Sequence, residues 1–134
     1  MVRMTAIYTG EKHCNATHDP SKTVLATDAP KDNQGRGESF SPTDLVATAL
    51  GTCILTTMAI VAERDGISMI NARMSVEKEM SANPRRIAKL TTVIELPASI
   101  PADYRAKIEQ VGLSCPVTKS LHPDVEVPVE FRYV

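Results

Sequence analysis

Residues 41–65, SPTDLVATALGTCILTTMAIVAERD, limit the possible folds more than any other part of the chain. They open with a helix start. Ser41 is the expected N-cap, Pro42 takes the first helical position, and Asp44 three residues on completes a capping box. Gly66 is the expected stop. Between these signals, apolar or small residues occupy nearly every face from Leu45 to Ala62. A helix without a polar stripe must be covered all round. In a chain of 134 residues the β layer is too small to supply all of that cover, so a second subunit is expected to share it.

The rest of the sequence reads as strands and two shorter helices. Residues 2–9, 13–17 and 23–27 are short β-type runs punctuated by Gly10 and by Asp19-Pro20-Ser21. A polar loop over 28–39 carries Pro30, Asn33, Gly35 and Gly37, but its glycines lack the spacing of a phosphate loop. Residues 69–80 and 86–96 are two long strands joined by a hairpin at 81–84. Met74, Val76 and Met80 alternate with Ser75, Glu77 and Glu79, which gives one wet face. Pro101 opens a helix with Ile100, Tyr104, Ile108 and Val111 on one stripe and Gly112 as its expected C-terminal stop. Residues 114–119 look like the start of a short helix with Pro116 at its first position, and 125–133 closes as a strand that Pro128 marks as an edge or a bulge. The order β-β-β, α, β-β, α, β indicates an α+β fold in one domain, residues 1–134.

Bulk properties remove several functions. With a formal net charge of -1, no nucleic-acid partner and no anionic membrane surface are implied. No uninterrupted apolar run reaches the ~18 residues that span a bilayer. The first residues, MVRMTAIYTGEKH, lack the apolar core of a signal peptide, so a cytoplasmic location is expected. There are three cysteines, an odd number with no Cys-x-x-Cys pair, and the three histidines are scattered. A disulfide framework and a zinc site are therefore both disfavoured, and no metal or cofactor is implied. What remains is buried structural cysteine or a transient, catalytic disulfide.

Cys53 lies about twelve residues past the helix cap, ~18 Å along the axis, beyond the reach of the helix dipole. Its bland reading is a small hydrophobe in a helix core. Cys115 precedes Pro116, where unpaired backbone N–H groups of a helix start favour a thiolate and Lys119 could add charge one turn later. Local physics alone therefore nominates Cys115 as the nucleophile, against the bland reading of a cap neighbour. Cys14, on a polar strand, reads as incidental. Arg36 and Glu38 stand in the loop before the long helix, where a loop could cover a site. Arg85 and Arg86 read as solvated charges, as do Glu77, Lys78 and Glu79. His13, His18 and His122 read as surface residues.

The pair of segments GESFSPTDLVATALGTC and, some sixty residues later, SCPVTKSL resembles the family of osmotically inducible protein C and the organic hydroperoxide resistance proteins. The resemblance covers essentially the whole chain. It implies an α+β fold with antiparallel sheets around a long central helix, in an intertwined homodimer with active sites at the subunit interface. It also implies that Cys53 attacks a hydroperoxide and becomes a sulfenic acid, and that Cys115 condenses with it to a disulfide. A dithiol reductant would then restore both. Leu50, Ile54 and Met58 are the expected lining of an apolar substrate pocket. This order reverses the one suggested by local physics.

The sequence departs from the family where the first cysteine is activated. The position of the family's helix Glu is held by Thr43, with Asp44 adjacent, and the N-terminal segment where an Arg would fall has Glu11, Lys12 and His13. Arg36 and Glu38 are the candidate substitutes. This marks a divergent subgroup. Two other readings stand beside the peroxidase: a non-catalytic small-molecule-binding or stress-response protein on the same fold, and a hydrolase or transferase using one cysteine.

Overall fold

The computed structural model describes residues 1–134. Its elements run β1 (Met4–Gly10), β2 (His13–His18), β3 (Thr23–Asp28), α1 (Pro42–Arg64), β4 (Arg73–Ser81), β5 (Arg86–Leu96), α2 (Ala102–Leu113), α3 (Pro116–Ser120) and β6 (Val129–Tyr133), with a 3-10 turn at Lys31–Asn33. Two three-stranded sheets and one long helix make this an α+β fold, as the element order implied. The chain divides into two compact units, Met1–Val46 and Ala47–Val134, and α1 begins in the first and continues into the second.

In the first unit β1, β2 and β3 form an antiparallel meander. Cys14 stands opposite Tyr8 on one side and Thr27 on the other, and His13 stands opposite Asp28. Met4, Ile7, Tyr8 and Val24 leave large apolar side chains exposed on these strands. The unit ends at the expected helix start. Asp44 donates its backbone N–H to Ser41 Oγ at 3.0 Å, and the Ser41 N–H returns a bond to Asp44 Oδ2 at 2.8 Å. This reciprocal pair satisfies two of the donors a helix start leaves open.

The second unit holds the core. Leu50, Ile54 and Met58 of α1 join Leu90, Ile94 and Leu96 of β5, Ile108 of α2 and Cys115 in one buried cluster. The buried positions of α1 in this unit are Ala47, Leu50, Gly51, Ile54, Met58 and Ala62, whose helical spacing traces one stripe. Ala49, Thr52, Thr56 and Ile60 are exposed, and Ile60 keeps 62% of its surface. One face of α1 is thus buried and the other exposed. By length and composition alone α1 would also suffice to cross a membrane. Its threonines and glycine interrupt the apolar run without making the helix polar. Its buried stripe is nevertheless that of a core helix packed against protein.

β4 and β5 form the expected antiparallel hairpin, with Ser75, Glu77 and Glu79 on the exposed face and Met74, Val76 and Met80 half-buried. The fourth strand begins later than expected. Residues 69–72 lie outside it, and Met69 is buried in the core. β6 pairs with β5 in parallel, so the second sheet is mixed rather than antiparallel. The physical reason is the connection: the chain crosses through α2 and α3 before returning to the sheet, and such a crossover permits a parallel neighbour. β6 lies at the sheet edge, and the carbonyl of Pro128 accepts the Thr92 N–H at 2.9 Å. An edge suits a segment containing a residue that cannot donate.

Two glycines mark close approaches. A Cβ on Gly51 of α1 would stand 2.6 Å from Met74 Sδ and 3.0 Å from Val76 Cγ2 on β4. A Cβ on Gly112 would stand 2.8 Å from Met58 Sδ. Gly112 is therefore not the stop of α2. The helix runs on to Leu113, and Gly112 lies buried inside it where α1 leaves no room for a side chain.

Candidate functional site

The two cysteines of interest both lie in the second unit, and both are free thiols. Cys53 is half-buried on α1 and packs against the core cluster. Its sulfur is 3.9 Å from Thr57 Oγ1, one helical turn on. Cys115 is a member of the cluster, with 0% of its surface exposed. It is the N-cap of α3, with extended backbone angles, and Pro116 follows at the first helical position as expected. The Thr118 N–H donates to Cys115 Sγ at 3.4 Å, and Thr118 Oγ1 lies 3.0 Å from the same sulfur. The sulfur thus takes the place that a serine or aspartate oxygen fills at an ordinary cap. Lys119 is exposed.

The partner of each sulfur is a threonine, and neither threonine was singled out from the sequence. Both were within reach of it. Thr57 stands four residues after Cys53 on a helix, and Thr118 stands three residues after an expected cap. Leu50, Ile54 and Met58 are each 0% exposed. They face the strands and α2 as core packing and present no surface to a ligand, since they fall on the inward stripe of α1. A shallow cavity of about 170 Å³ beside α1 is lined instead by Leu55, Thr56, Ala59, Met69 and Ala72.

The other candidates lie in the first unit, where an acidic residue organises them. Asp28 is 1% exposed. Its Oδ1 meets His13 Nδ1 at 2.6 Å and Arg36 Nη2 at 3.7 Å, while its Oδ2 accepts the Glu38 N–H at 3.1 Å. Its own N–H bonds the carbonyl of Phe40. The His13 bond, the positive charges of His13 and Arg36 and the Glu38 N–H hold the Asp28 carboxyl below its ordinary range, against burial, which pushes it up. Arg36 also reaches Glu11 at 3.1 Å and Glu38 at 3.9 Å. The guanidinium is thus shared among three carboxylates, and the loop of residues 29–40 is pinned to β2 and β3 through Asp28. His13, read from sequence as a surface residue, is half of this pair. Register explains the miss: only the β2–β3 pairing sets it opposite Asp28. Thr43 and Asp44 both serve the cap of α1, Asp44 through its carboxylate and Thr43 through a hydroxyl 3.2 Å from Ser41 Oγ. His122, Arg85 and Arg86 are exposed, and no three His, Cys, Asp or Glu side chains converge in a way that could hold a metal ion.

Residues 35–130 match the family model of OsmC-like proteins. The chain belongs to the OsmC-like family. A solved structure from Psychrobacter arcticus 273-4, provisionally described as an osmotic stress induced and detoxification response protein, shares 37% identity with it. That likeness covers 98% of this chain and 96% of the other, with a TM-score of 0.93. The organic hydroperoxide resistance protein OsmC of Legionella pneumophila has the same fold, with a TM-score of 0.74 at 19% identity over 98% of this chain and 96% of that one. The uncharacterised protein YmaD of Bacillus subtilis (strain 168) is 22% identical over 95% of this chain and 90% of its own length. The family includes hydroperoxide reductases; in this chain Cys53 lies on α1 and Cys115 caps the start of α3.

Proposed function

We propose that this OsmC-like protein is a thiol peroxidase that reduces organic hydroperoxides through Cys53 and Cys115. The observation that carries this reading is the setting of the two free thiols: one half-buried on α1, the other buried at the cap of α3, both packed in one apolar cluster. The Cys53 thiolate attacks the terminal peroxide oxygen. The O–O bond breaks, the alkoxide takes a proton and leaves as an alcohol, and Cys53 becomes a sulfenic acid. The Cys115 sulfur then attacks Cys53, a disulfide forms and water leaves. A dithiol reductant returns both thiols by exchange and is itself oxidised. An apolar surround suits an organic substrate better than a polar one.

A homodimer is part of the proposal. Ile60 on α1 and Ile7, Tyr8 and Val24 on the first sheet are large apolar groups left exposed by one chain, and a second copy would remove them from water. A cytoplasmic location suits three unpaired thiols, because reducing compartments keep them so. A second reading, a binding protein without turnover, draws on one observation. Thr43, which the sequence resemblance sets at the place of the family's activating Glu, and the adjacent Asp44 both serve a helix cap.

Consumption of cumene hydroperoxide in the presence of dithiothreitol separates the two. The peroxidase reading expects multiple turnovers by the wild type and none above the uncatalysed rate by Cys53→Ser. Equal consumption by both proteins would end it.

A further inference from the structure

Resting on the peroxidase reading, we infer that the oxidised protein is reduced in a fixed direction: the reductant attacks the sulfur of Cys53, and Cys115 is the leaving thiolate, with Thr118 as its positioning residue. Exchange at a disulfide has two possible sites, and the choice depends on access to each sulfur and on how well the other leaves. Both factors point the same way here. Cys115 has 0% of its surface exposed and sits inside the core cluster with Leu50, Ile54 and Ile108. A thiol arriving from solvent has no line of approach to its sulfur while α3 is folded. Cys53 is half-buried on α1, and its sulfur is the one a hydroperoxide must reach in the proposed reaction, so a small thiol can follow the same path.

The leaving side is also built. In the reduced protein the Thr118 N–H points at Cys115 Sγ from 3.4 Å and the Thr118 hydroxyl stands 3.0 Å from it. These two donors are in place to receive the electron pair that returns to this sulfur when the S–S bond breaks. Cys53 has one hydroxyl at 3.9 Å and no backbone donor, since its helix interior uses those groups in the helix ladder. Departure of Cys115 therefore restores the cap of α3, whereas departure of Cys53 restores only that longer contact.

One thiolate of the dithiol attacks Cys53 sulfur, the bond between Cys53 and Cys115 breaks, and its electron pair leaves on Cys115, which then takes a proton. The second thiolate of the reductant attacks its own sulfur in the mixed disulfide. That releases Cys53 as a thiolate and the reductant as an intramolecular disulfide, two electrons having passed to the protein.

The test traps the mixed disulfide with a monothiol, which cannot complete the second step. Full-length protein is oxidised with one equivalent of cumene hydroperoxide and treated briefly with 2-mercaptoethanol. It is then quenched in acid, alkylated with N-ethylmaleimide and peptide-mapped. The expected product carries mercaptoethanol on Cys53 and N-ethylmaleimide on Cys115. Mercaptoethanol mainly on Cys115 would overturn the inference while leaving the peroxidase reading intact. Absence of any disulfide linking Cys53 to Cys115 after oxidation would overturn both. Thr118→Val keeps the shape and the backbone N–H but lacks the hydroxyl, so release of Cys115 should slow by roughly three- to ten-fold. Thr118→Ser should restore the rate. The same rate in wild type, Thr118→Val and Thr118→Ser would remove the role given to Thr118.

Discussion

Gly51 is the position where helix propensity and packing oppose each other most directly. In an exposed helix interior, Gly→Ala gains about 1 kcal/mol, because alanine loses less backbone freedom on folding. At Gly51 the added Cβ would meet Met74 Sδ at 2.6 Å, Met74 Cε at 3.0 Å and Val76 Cγ2 at 3.0 Å. Relaxed carbon contacts lie near ~3.5–4.0 Å, so these atoms stand roughly 0.5–1 Å too close. The Met74 tip can swing away. Val76 cannot do so as readily, because a β-branched side chain is stiff at its first torsion and its backbone is held opposite Thr92 in the β4–β5 ladder. Overpacking of this kind costs about 1–3 kcal/mol. Set against the propensity gain, Gly51→Ala should lose about 1 kcal/mol net, which lowers Tm by roughly 3–5 °C for a chain of this size. Thermal unfolding followed by circular dichroism reads the shift, and pairing the change with Val76→Ala should relieve the overpacking part of it. A Gly51→Ala protein more stable than wild type by about 1 kcal/mol would refute the close packing of α1 on β4.

Other predictions follow from separate features. Met58→Ala removes a fully buried side chain and should cost about 2–5 kcal/mol in urea unfolding; a loss below about 1 kcal/mol would mean the core is not packed as described. The folded-state pKa of Asp28 lies below its ordinary value of 3.8, so its contribution to stability is present above that value and drains away as pH falls through the lower folded value. Asp28→Asn should therefore be less stable than wild type near neutrality, and the gap should narrow on acidification. A gap that widens toward low pH would contradict the His13–Asp28–Arg36 arrangement. The proposed homodimer should sediment at twice the 14.6 kDa of one chain; a monomer at every concentration would leave the exposed apolar groups without the cover proposed for them.

The fold was readable wherever a local signal had one physical meaning. Ser41, Pro42 and Asp44 announced the start of α1, and the bonds between Ser41 and Asp44 are those the spacing implied. Alternation over residues 74–80 announced a half-wet strand, and Pro116 announced a helix with Cys115 before it. Signals whose meaning depends on distant neighbours were misread. Gly112 looks like a stop, yet serves a close contact with Met58 from α1, and nothing near it in sequence says so. β6 as a parallel neighbour of β5 depends on a crossover, not on its own residues. The site divides in the same way. Both cysteines could be picked out, one by its helix and one by its cap. His13 and Asp28 could not, because strand register brings them together. Leu50, Ile54 and Met58 were expected to line a pocket and are instead wholly buried, because which face of an all-apolar helix points inward is a tertiary fact.

The central claim is that Cys53 and Cys115 form one redox pair. Counting free thiols before and after a modest excess of organic hydroperoxide tests it most directly, on wild type, Cys53→Ser and Cys115→Ser. The account predicts loss of two thiols in the wild type, a trapped sulfenic acid at Cys53 in Cys115→Ser, and no reaction of the remaining thiols in Cys53→Ser. A wild-type protein that keeps all three of its thiols under those conditions would contradict it.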